Sequence, residues 1–485
     1  MKKIFLSLFI LFFAVNLFAQ NDKPGNPNPK TDEQARLINE LVNKYVDIGT
    51  FNGSLLVAQN GKIIFSKGFG YEDREKNILN TPDTKFRIAS VTKQFTAMLI
   101  AQLVQQGKIK FEDRVSVYLP YYRKDNGDRI TVHNLLTHTG GVPNYTTGEF
   151  MDKHLDKAIT AKDLILTYGS GDLEFEPGTK YNYSNTGYVM LGAIIEEVTG
   201  KSYETVLQEQ ILTPLEMTNS GFEHNDIKMN NQAIGYDNIF GEVAVAKYID
   251  MTIPHAAGSM YSTVGDLYKW DRALYTDKLI SNEIKEKIYT PFLNNYGYGW
   301  NIVKAKISET DERIIYTHSG GINGFSTNIM RVVSDDLAVI VLSNYANGQS
   351  QRIANEISKI MYGIPYKFPR KSVSSFLMSK DKTTAQNIII VKELAKNKDE
   401  YVIMEDEINS IGYRFMSEGK FDEAIEVLKF NVESFPDSWN TYDSLGEAYA
   451  AKGDKENALI NYRKSVEMNP KSTGGIEAIK KLEGK

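Results

Sequence analysis

The chain has 485 residues, more than one compact domain usually requires, so its length predicts two or three domains. Hydrophobic residues make up 42% and charged residues 24%, and the net charge is −5, which excludes a wholly disordered chain and a strongly basic nucleic-acid-binding protein. The chain has no cysteine, which excludes disulfides, a cysteine nucleophile and thiolate metal ligands.

The N-terminal segment has the pattern of an export signal. Two lysines precede an apolar run over residues 4–15, and the small residue Ala19 follows. This pattern predicts a signal peptide over residues 1–19 and therefore an exported bacterial protein, periplasmic or secreted; the alternative is an uncleaved N-terminal anchor. Residues 20–31 are rich in proline and have no aliphatic side chain, which predicts a flexible tether.

The next segment has strand patterns at both ends and helical patterns between them. An Asn-Gly pair at residues 60–61 separates two apolar runs, which is a strong hairpin signal. A second hairpin is predicted around residues 334–336, and stretches between the two, such as Thr92–Gln106, have helical periodicity. This order predicts an α+β domain over residues 32–365, an antiparallel sheet flanked by helices with a helical insertion. A Ser-, Lys- and Thr-rich linker is predicted over residues 366–383.

The C-terminal part contains an internal repeat with a period of 34 residues. The matching positions are Gly412 and Gly446, Phe415 and Tyr449, Ala424 and Ala458, and Pro436 and Pro470. The small residues let neighbouring helices approach closely, and the pattern resembles two tetratricopeptide repeats over 405–438 and 439–472. With flanking helices, this predicts an all-α unit over residues 384–485. It is either a binding site for a protein partner or a structural appendage, and no groove residue can be chosen from the sequence.

The first candidate catalytic motif is Ser90-Val91-Thr92-Lys93, directly before a long helical pattern. A serine and a lysine three positions apart at a helix start face the same side, and the helix N-terminus favours negative charge on the serine oxygen. A buried lysine loses its proton more easily and can act as a base. The alternative is an ordinary helix N-cap with a solvated lysine.

The second motif, Tyr183-Ser184-Asn185, lies between a Pro-Gly turn and the start of a predicted helix. A tyrosine on such a turn can project its phenol into a cleft, and an asparagine amide can bind both a carbonyl and an N–H group. The alternative is a buried tyrosine and a turn asparagine.

The third motif, His318-Ser319-Gly320-Gly321, precedes the second hairpin. Consecutive glycines at a strand edge let a ligand approach the backbone. The N–H groups of Gly321 and Ser90 could then form an oxyanion hole. The alternative is a bulge beside a surface histidine.

The three motifs, in this order, resemble those of the serine β-lactamase/penicillin-binding family, in its class C β-lactamase and D-alanyl-D-alanine carboxypeptidase branch. The stretches 135–143 and 256–263 are similar to that branch too, so the resemblance covers roughly residues 35–362. It implies a serine hydrolase that works through a covalent acyl-enzyme. Ser90 would be the nucleophile, and Lys93 and Tyr183 would share the proton transfers, with the acylation base left open.

The same resemblance implies the substrate-binding groups. Asn185 would orient the substrate amide, the third motif (His318, Ser319 and Gly320) would bind the substrate, and the amides of Ser90 and Gly321 would form the oxyanion hole. Typical class C β-lactamases carry lysine where this chain has His318, and a histidine is mostly neutral at pH 7. A carboxypeptidase-like or esterase-like activity is therefore favoured over a β-lactamase.

The remaining alternatives concern function as a whole. The expected substrate is a small molecule or peptide with an amide or ester carbonyl; the rival hypotheses are a non-catalytic penicillin-binding sensor and a protein-interaction module built on the repeats. The sequence contains no pattern for a metal site, a phosphate loop or a dinucleotide cofactor, so no cofactor is expected. His138 is expected to be a structural turn residue.

Overall fold

A computed structural model of the chain describes residues 29–147 and 154–484. The predicted signal peptide, residues 1–19, and most of the predicted tether, 20–31, lie outside these residues. The first helix begins at Pro29, inside the segment predicted as tether. Proline is well tolerated in a first helical turn, and Asp32 complements the positive end of the helix dipole there. Within the described residues, no helix is long and apolar enough to cross a membrane.

The secondary structure follows the predicted order, with strands at both ends of the first domain. The strands are β1 (Gly53–Gln59), β2 (Lys62–Phe69), β3 (Tyr71–Asp73), β4 (Ile78–Leu79), β5 (Phe86–Arg87), β6 (Gly221–Phe222), β7 (Tyr236–Ile239), β8 (Glu242–Val245), β9 (Met260–Ser262), β10 (Asn301–Lys306), β11 (Glu312–Ile322), β12 (Phe325–Val332), β13 (Leu337–Ser343), β14 (Lys371–Ser372) and β15 (Tyr401–Val402). The helices are α1 (Pro29–Asp47), α2 (Thr92–Gln105), α3 (Val115–Tyr118), α4 (Lys124–Gly127), α5 (Val132–Leu136), α6 (Ala161–Leu164), α7 (Asn185–Thr199), α8 (Tyr203–Leu207), α9 (His255–Gly258), α10 (Val264–Ala273), α11 (Asn282–Ile288), α12 (Ser350–Tyr362), α13 (Ser374–Leu377), α14 (Thr384–Leu394), α15 (Glu405–Ser417), α16 (Phe421–Ser434), α17 (Trp439–Lys452), α18 (Lys455–Met468) and α19 (Thr473–Glu483).

The central sheet of the described residues is antiparallel, with the strand order β10-β11-β12-β13-β1-β2. Both of its faces are buried. Along β13, Ile340 and Leu342 pack on the helical insertion, whereas Val339 and Val341 pack on α1 and α12. A strand covered on both faces has an uninterrupted apolar sequence, as this strand does. The predicted α+β fold class is confirmed.

The hairpin predicted at the Asn-Gly pair joins β1 to β2. Asn60 and Gly61 both have positive φ angles, 53° and 73°, as the tight turn between twisted strands requires. The register across the other side of β1 pairs Gly53 with Ser343, so the N-terminal and C-terminal parts of the domain share one sheet. The helical insertion between these parts carries the first two candidate motifs to the edge of β11.

The C-terminal unit consists of antiparallel helix pairs, α15–α16 and α17–α18, followed by α19. A Cβ atom at Gly412 would lie 2.6 Å from Leu428, and one at Gly446 would lie 3.1 Å from the Tyr462 ring. The repeat glycines therefore sit where the two helices of a pair approach most closely, as the sequence pattern indicated.

The segment predicted as a linker, residues 366–383, is partly built into this unit. Strand β14 pairs in parallel with β15, and the side chains of Val373 and Leu377 are buried against Ile408 and Val391. The many Ser, Lys and Thr residues made the segment look like a linker, but its few apolar residues are enough to bury one face of a single helical turn. The correction is that much of the segment packs as part of the helical unit.

The two units touch through the hairpin formed by β7 and β8. Phe240 at its tip packs against the apolar cluster of the C-terminal unit, and Glu242 accepts a hydrogen bond from Arg414 at 3.0 Å. The chain that leaves this hairpin, residues 246–249, runs along the first domain beside the candidate site.

Candidate active site

Ser90 lies on a short 3-10 turn, Ala89–Val91, that joins β5 to α2. Because β5 pairs with β9, the turn is anchored at its start. Ala89 has a φ of 47°, a left-handed conformation that costs a non-glycine residue about 1 kcal/mol or more. Ala89 is buried, so the packing around it holds the strained conformation. The turn places Ser90 at the N-terminal end of α2, where the helix dipole favours negative charge.

Lys93, one helical turn further on, is fully buried at 0% exposure. Its Nζ lies 3.0 Å from Ser90 Oγ, 2.8 Å from Asn185 Oδ1 and 2.8 Å from the main-chain oxygen of Ala257. Burial lowers the pKa of Lys93 well below its usual value. The asparagine and main-chain oxygens only accept hydrogen bonds, so they take the two N–H groups of a neutral amine. In that neutral form the lone pair of the amine would face the Ser90 hydroxyl.

Tyr183 lies just before α7. The N-cap of this helix is Ser184, and the Ser184 hydroxyl oxygen accepts a hydrogen bond from the main-chain N–H of Gly187 at 3.3 Å. The Tyr183 side chain hydrogen-bonds with Ser90, and its ring centroid lies 4.9 Å from Lys93 Nζ. Burial raises the pKa of Tyr183 well above its usual value, and the hydrogen bond with Ser90 opposes this only in part. The phenol therefore keeps its proton at neutral pH.

Asn185, the first residue of α7, is fixed by partners that the sequence analysis did not identify. Its Nδ2 donates to Thr146 Oγ1 at 3.2 Å, and its main-chain N–H donates to Asn144 Oδ1 at 3.1 Å. Both partners come from the loop after α5, and isolated polar residues in a loop give no sequence signal. The amide oxygen of Asn185 faces Lys93, so the side chain connects the cleft to the buried amine.

His138 supports the turn that carries Tyr183. It is buried, its φ is 56°, and its Nδ1 accepts a hydrogen bond from the main-chain N–H of Ser184 at 3.1 Å. Its ring centroid lies 4.2 Å from that of Tyr183. Burial lowers the pKa of His138 well below its usual value, so the ring is neutral and Nδ1 can accept. The sequence predicted a structural histidine here but not which residues it would hold.

Gly320 and Gly321 lie on β11, next to the Ser90 turn. A Cβ at Gly320 would lie 2.3 Å from the main-chain oxygen of Ile88, 2.4 Å from Thr327 Oγ1 and 3.1 Å from the main-chain nitrogen of Ser90. The absence of a side chain at Gly320 thus allows β11 to pack directly against the turn. A Cβ at Gly321 would meet no atom within 4 Å, so this residue faces open space beside Ser90.

The His318 ring is turned into the protein, with the residue only 3% exposed. Its Nδ1–H donates to the main-chain oxygen of Ser319 at 2.7 Å, so Nε2 accepts from the Tyr296 hydroxyl at 2.8 Å. Burial, with a smaller contribution from the nearby Lys93, lowers the pKa of His318 to about 3, so the ring is neutral at pH 7. The sequence predicted substrate binding by His318. Both of its ring nitrogens are engaged by protein groups, so the ring supports β11, and the residue also lines the large depression described below.

Two openings flank the Ser90–Tyr183 pair. The small pocket, about 100 Å³ in volume, contains Ser90, Asn185 and Gly321 and has an otherwise mainly apolar wall that includes Tyr145, Ile249, Ile253 and Pro254. The large depression, about 450 Å³, is lined by Tyr183, Asn301, Val303, Ile315, Thr317, His318, Ser319, Met330, Gln351 and Asn355. Among the described residues, no cluster of three or more His, Asp or Glu side chains could hold a metal ion.

The comparison with known families identifies both units. The β-lactamase family model matches residues 38–359, about two thirds of the chain. The chain belongs to the β-lactamase family. It is thus a serine hydrolase of the β-lactamase/penicillin-binding type, and a tetratricopeptide repeat model matches residues 440–472 of its C-terminal unit.

Individual members of the β-lactamase family show the same relationship. The chain is 32% identical over 346 residues to penicillin-binding protein 4* of Bacillus subtilis, a match that covers 66% of this chain and 74% of the relative. It is 31% identical over 327 residues to protein flp of Staphylococcus aureus, covering 65% of this chain and 64% of that protein. The crystal structure of a penicillin-binding protein from Bacillus halodurans superposes with a TM-score of 0.58 at 27% identity, covering 67% of this chain and 98% of that structure.

Proposed function

We propose that the protein hydrolyses an amide or ester bond through an acyl-enzyme on Ser90. The observation that carries the proposal is the position of Lys93 Nζ, 3.0 Å from Ser90 Oγ and fully buried, which lowers the pKa of the amine. A neutral amine at this distance can take the proton of the Ser90 hydroxyl as the oxygen attacks a carbonyl carbon.

The other groups of the site complete the reaction. The N–H groups of Ser90 and Gly321 would stabilise the developing oxyanion, and Asn185 would hold the acyl part of the substrate. Tyr183, whose raised pKa keeps it protonated, would donate a proton to the leaving group and recover one from Lys93. A water molecule, deprotonated by the same pair, would then release the acyl group from Ser90.

The substrate remains within two classes, a D-alanyl-D-alanine-like peptide and a small ester. The neutral His318 supports a carboxypeptidase-like or esterase-like enzyme over a class C-like β-lactamase, because no ammonium stands at this position to attract the carboxylate of a β-lactam. The short distances around Ser90 support catalysis over a non-catalytic penicillin-binding sensor.

Location and partner are separate proposals. The lysine-apolar pattern of residues 1–19 supports export to the periplasm or secretion from a bacterium. The repeat unit supports a protein partner that binds outside the catalytic cleft.

The test of the proposed function is a parallel assay of wild type and Ser90→Ala. Each protein is offered p-nitrophenyl acetate, a D-alanyl-D-alanine peptide and a chromogenic cephalosporin, and its intact mass is measured after each incubation. We expect Ser90→Ala to lower turnover at least about 1,000-fold and to abolish any acyl adduct. Equal turnover by the two proteins would refute the acyl-enzyme mechanism, and a stable cephalosporin adduct without turnover of any substrate would favour the sensor.

A further inference from the structure

If the proposed function holds, the residues in the two openings indicate which opening binds the acyl part of the substrate and which binds the leaving group. The small pocket contains Asn185 and the oxyanion residue Gly321, so it receives the carbonyl and the acyl side of the scissile bond. The large depression contains Tyr183, the proton donor to the leaving group. The leaving group therefore occupies the large depression.

The polar groups that line the large depression are all neutral. Ser319 presents a hydroxyl that accepts a hydrogen bond from Asn328 at 3.0 Å and lies 3.3 Å from the amide oxygen of Gln351. Asn301 and Asn355 add two further amide side chains. Amide groups both donate and accept, so they match another amide better than they match a carboxylate, which only accepts.

Lys93, 4.9 Å from the Tyr183 ring, is held inside the protein by Asn185 and Ala257, and three other cations near this depression in the described structure are directed away from it. Arg352 donates a hydrogen bond to the side chain of Gln349 at 3.3 Å. Its positive charge also opposes the rise in the pKa of Tyr45 on α1, so Arg352 lies on the side of α12 that faces α1. Val303 lines the depression, so its neighbour Lys304 on β10 projects from the opposite face of the strand. Lys247 lines a separate depression, beyond the small pocket.

We propose that the natural leaving group carries no carboxylate, which excludes the carboxypeptidase-like option of the proposed function: the substrate is a carboxamide-terminated peptide or a neutral ester, held by the amide side chains of the large depression. In acylation, the bond from Ser90 Oγ to the acyl carbon forms and the bond from that carbon to the leaving nitrogen or oxygen breaks. The leaving atom keeps the electron pair and receives the proton that Ser90 lost, through Lys93 and Tyr183.

The test uses substrate pairs that differ only by this charge. One pair is an N-acylated D-alanyl-D-alanine with a free C-terminal carboxylate or with a C-terminal carboxamide. The other is 4-acetoxybenzoate and 4-acetoxybenzamide, with each rate divided by that of uncatalysed alkaline hydrolysis. We expect kcat/KM to favour the neutral member about tenfold or more in whichever pair is turned over, because a carboxylate in the depression would lack a partner.

Two substitutions of Gln351 distinguish the effect of charge on substrate preference from the effect of side-chain shape. Gln351→Arg places a cation in the depression, where its planar donors fit a carboxylate, and we expect the carboxylate-to-carboxamide ratio of kcat/KM to rise about tenfold. Gln351→Met, of similar size and uncharged, is the control and should not raise this ratio.

The outcomes distinguish this inference from the proposed function. A wild-type preference for the carboxylate, or equal values for both members of a pair, would overturn the neutral leaving group while Ser90-dependent turnover still supported the acyl-enzyme. Turnover that persists in Ser90→Ala would overturn the proposed function, and the inference that rests on it.

Discussion

Replacing Gly320 by alanine is the most direct test of how β11 and the Ser90 turn are assembled. Alanine tolerates this backbone, since φ is not positive there, so the effect is steric. Its Cβ would lie 2.3 Å from the main-chain oxygen of Ile88, where ordinary contacts begin near 3.4 Å. The strand must therefore move by about 1 Å, and a displacement of that size at a reacting centre costs about 100-fold in rate.

The energetic cost and the control follow from the same geometry. Overpacking of this kind costs about 1–3 kcal/mol of folding free energy, so the variant should fold and melt at a lower temperature. Gly321→Ala is the matched control, because its Cβ meets no atom within 4 Å. In an ester assay with circular dichroism melts, we expect kcat/KM for Gly320→Ala to be at least about 30-fold below that of Gly321→Ala. Similar values for two folded variants would refute the close packing of β11 on the turn.

Three further predictions concern charge and packing. The lowered pKa of Lys93 predicts that kcat/KM rises with pH through that pKa and then levels off, since the ammonium below it cannot take a proton; a rate independent of pH from 5 to 9 would contradict this. Arg331→Met removes one of the two arginine partners of the buried Asp271 carboxylate, which lies 2.8 Å from Arg331 Nε and keeps its ion pair with Arg272 at 2.6 Å, so urea unfolding should show a loss of about 1–3 kcal/mol, and no measurable loss would count against the Arg331–Asp271 pair. Phe240→Ala should lower the melting temperature of the C-terminal unit in calorimetry through a loss of about 1–2 kcal/mol, whereas Arg414→Ala, at a solvent-exposed ion pair, should change it little; equal shifts would contradict the apolar contact.

The fold was accessible from the sequence because its signals are local. The Asn-Gly turn and the helical periodicity after Ser90 each occupy one short stretch, and the 34-residue period repeats a local pattern. The predicted linker was wrong where Val373 and Leu377 are buried, since two apolar residues among polar ones become a core only when distant helices cover them.

The candidate site, too, has features that the sequence predicted and features that only the structure shows. The sequence alone predicted which residues form the candidate site, because Ser90 and Lys93 stand one helical turn apart and the other two motifs are contiguous runs. It could not determine the support by His138, whose bond to Ser184 joins segments far apart in the chain. Nor could it show that the ring of His318 is directed inward.

Length and net charge did not indicate a reaction for this chain, whereas the ordered motifs predicted a serine nucleophile. Only the tertiary structure determines how the titratable groups around that serine are protonated. Lys93 and His318 are ordinary titratable residues in the sequence, and the pKa of each is lowered in the folded protein because burial removes the water that would stabilise its charge. Burial depends on every element packed around a residue, so it is a property of the folded molecule and not of any motif.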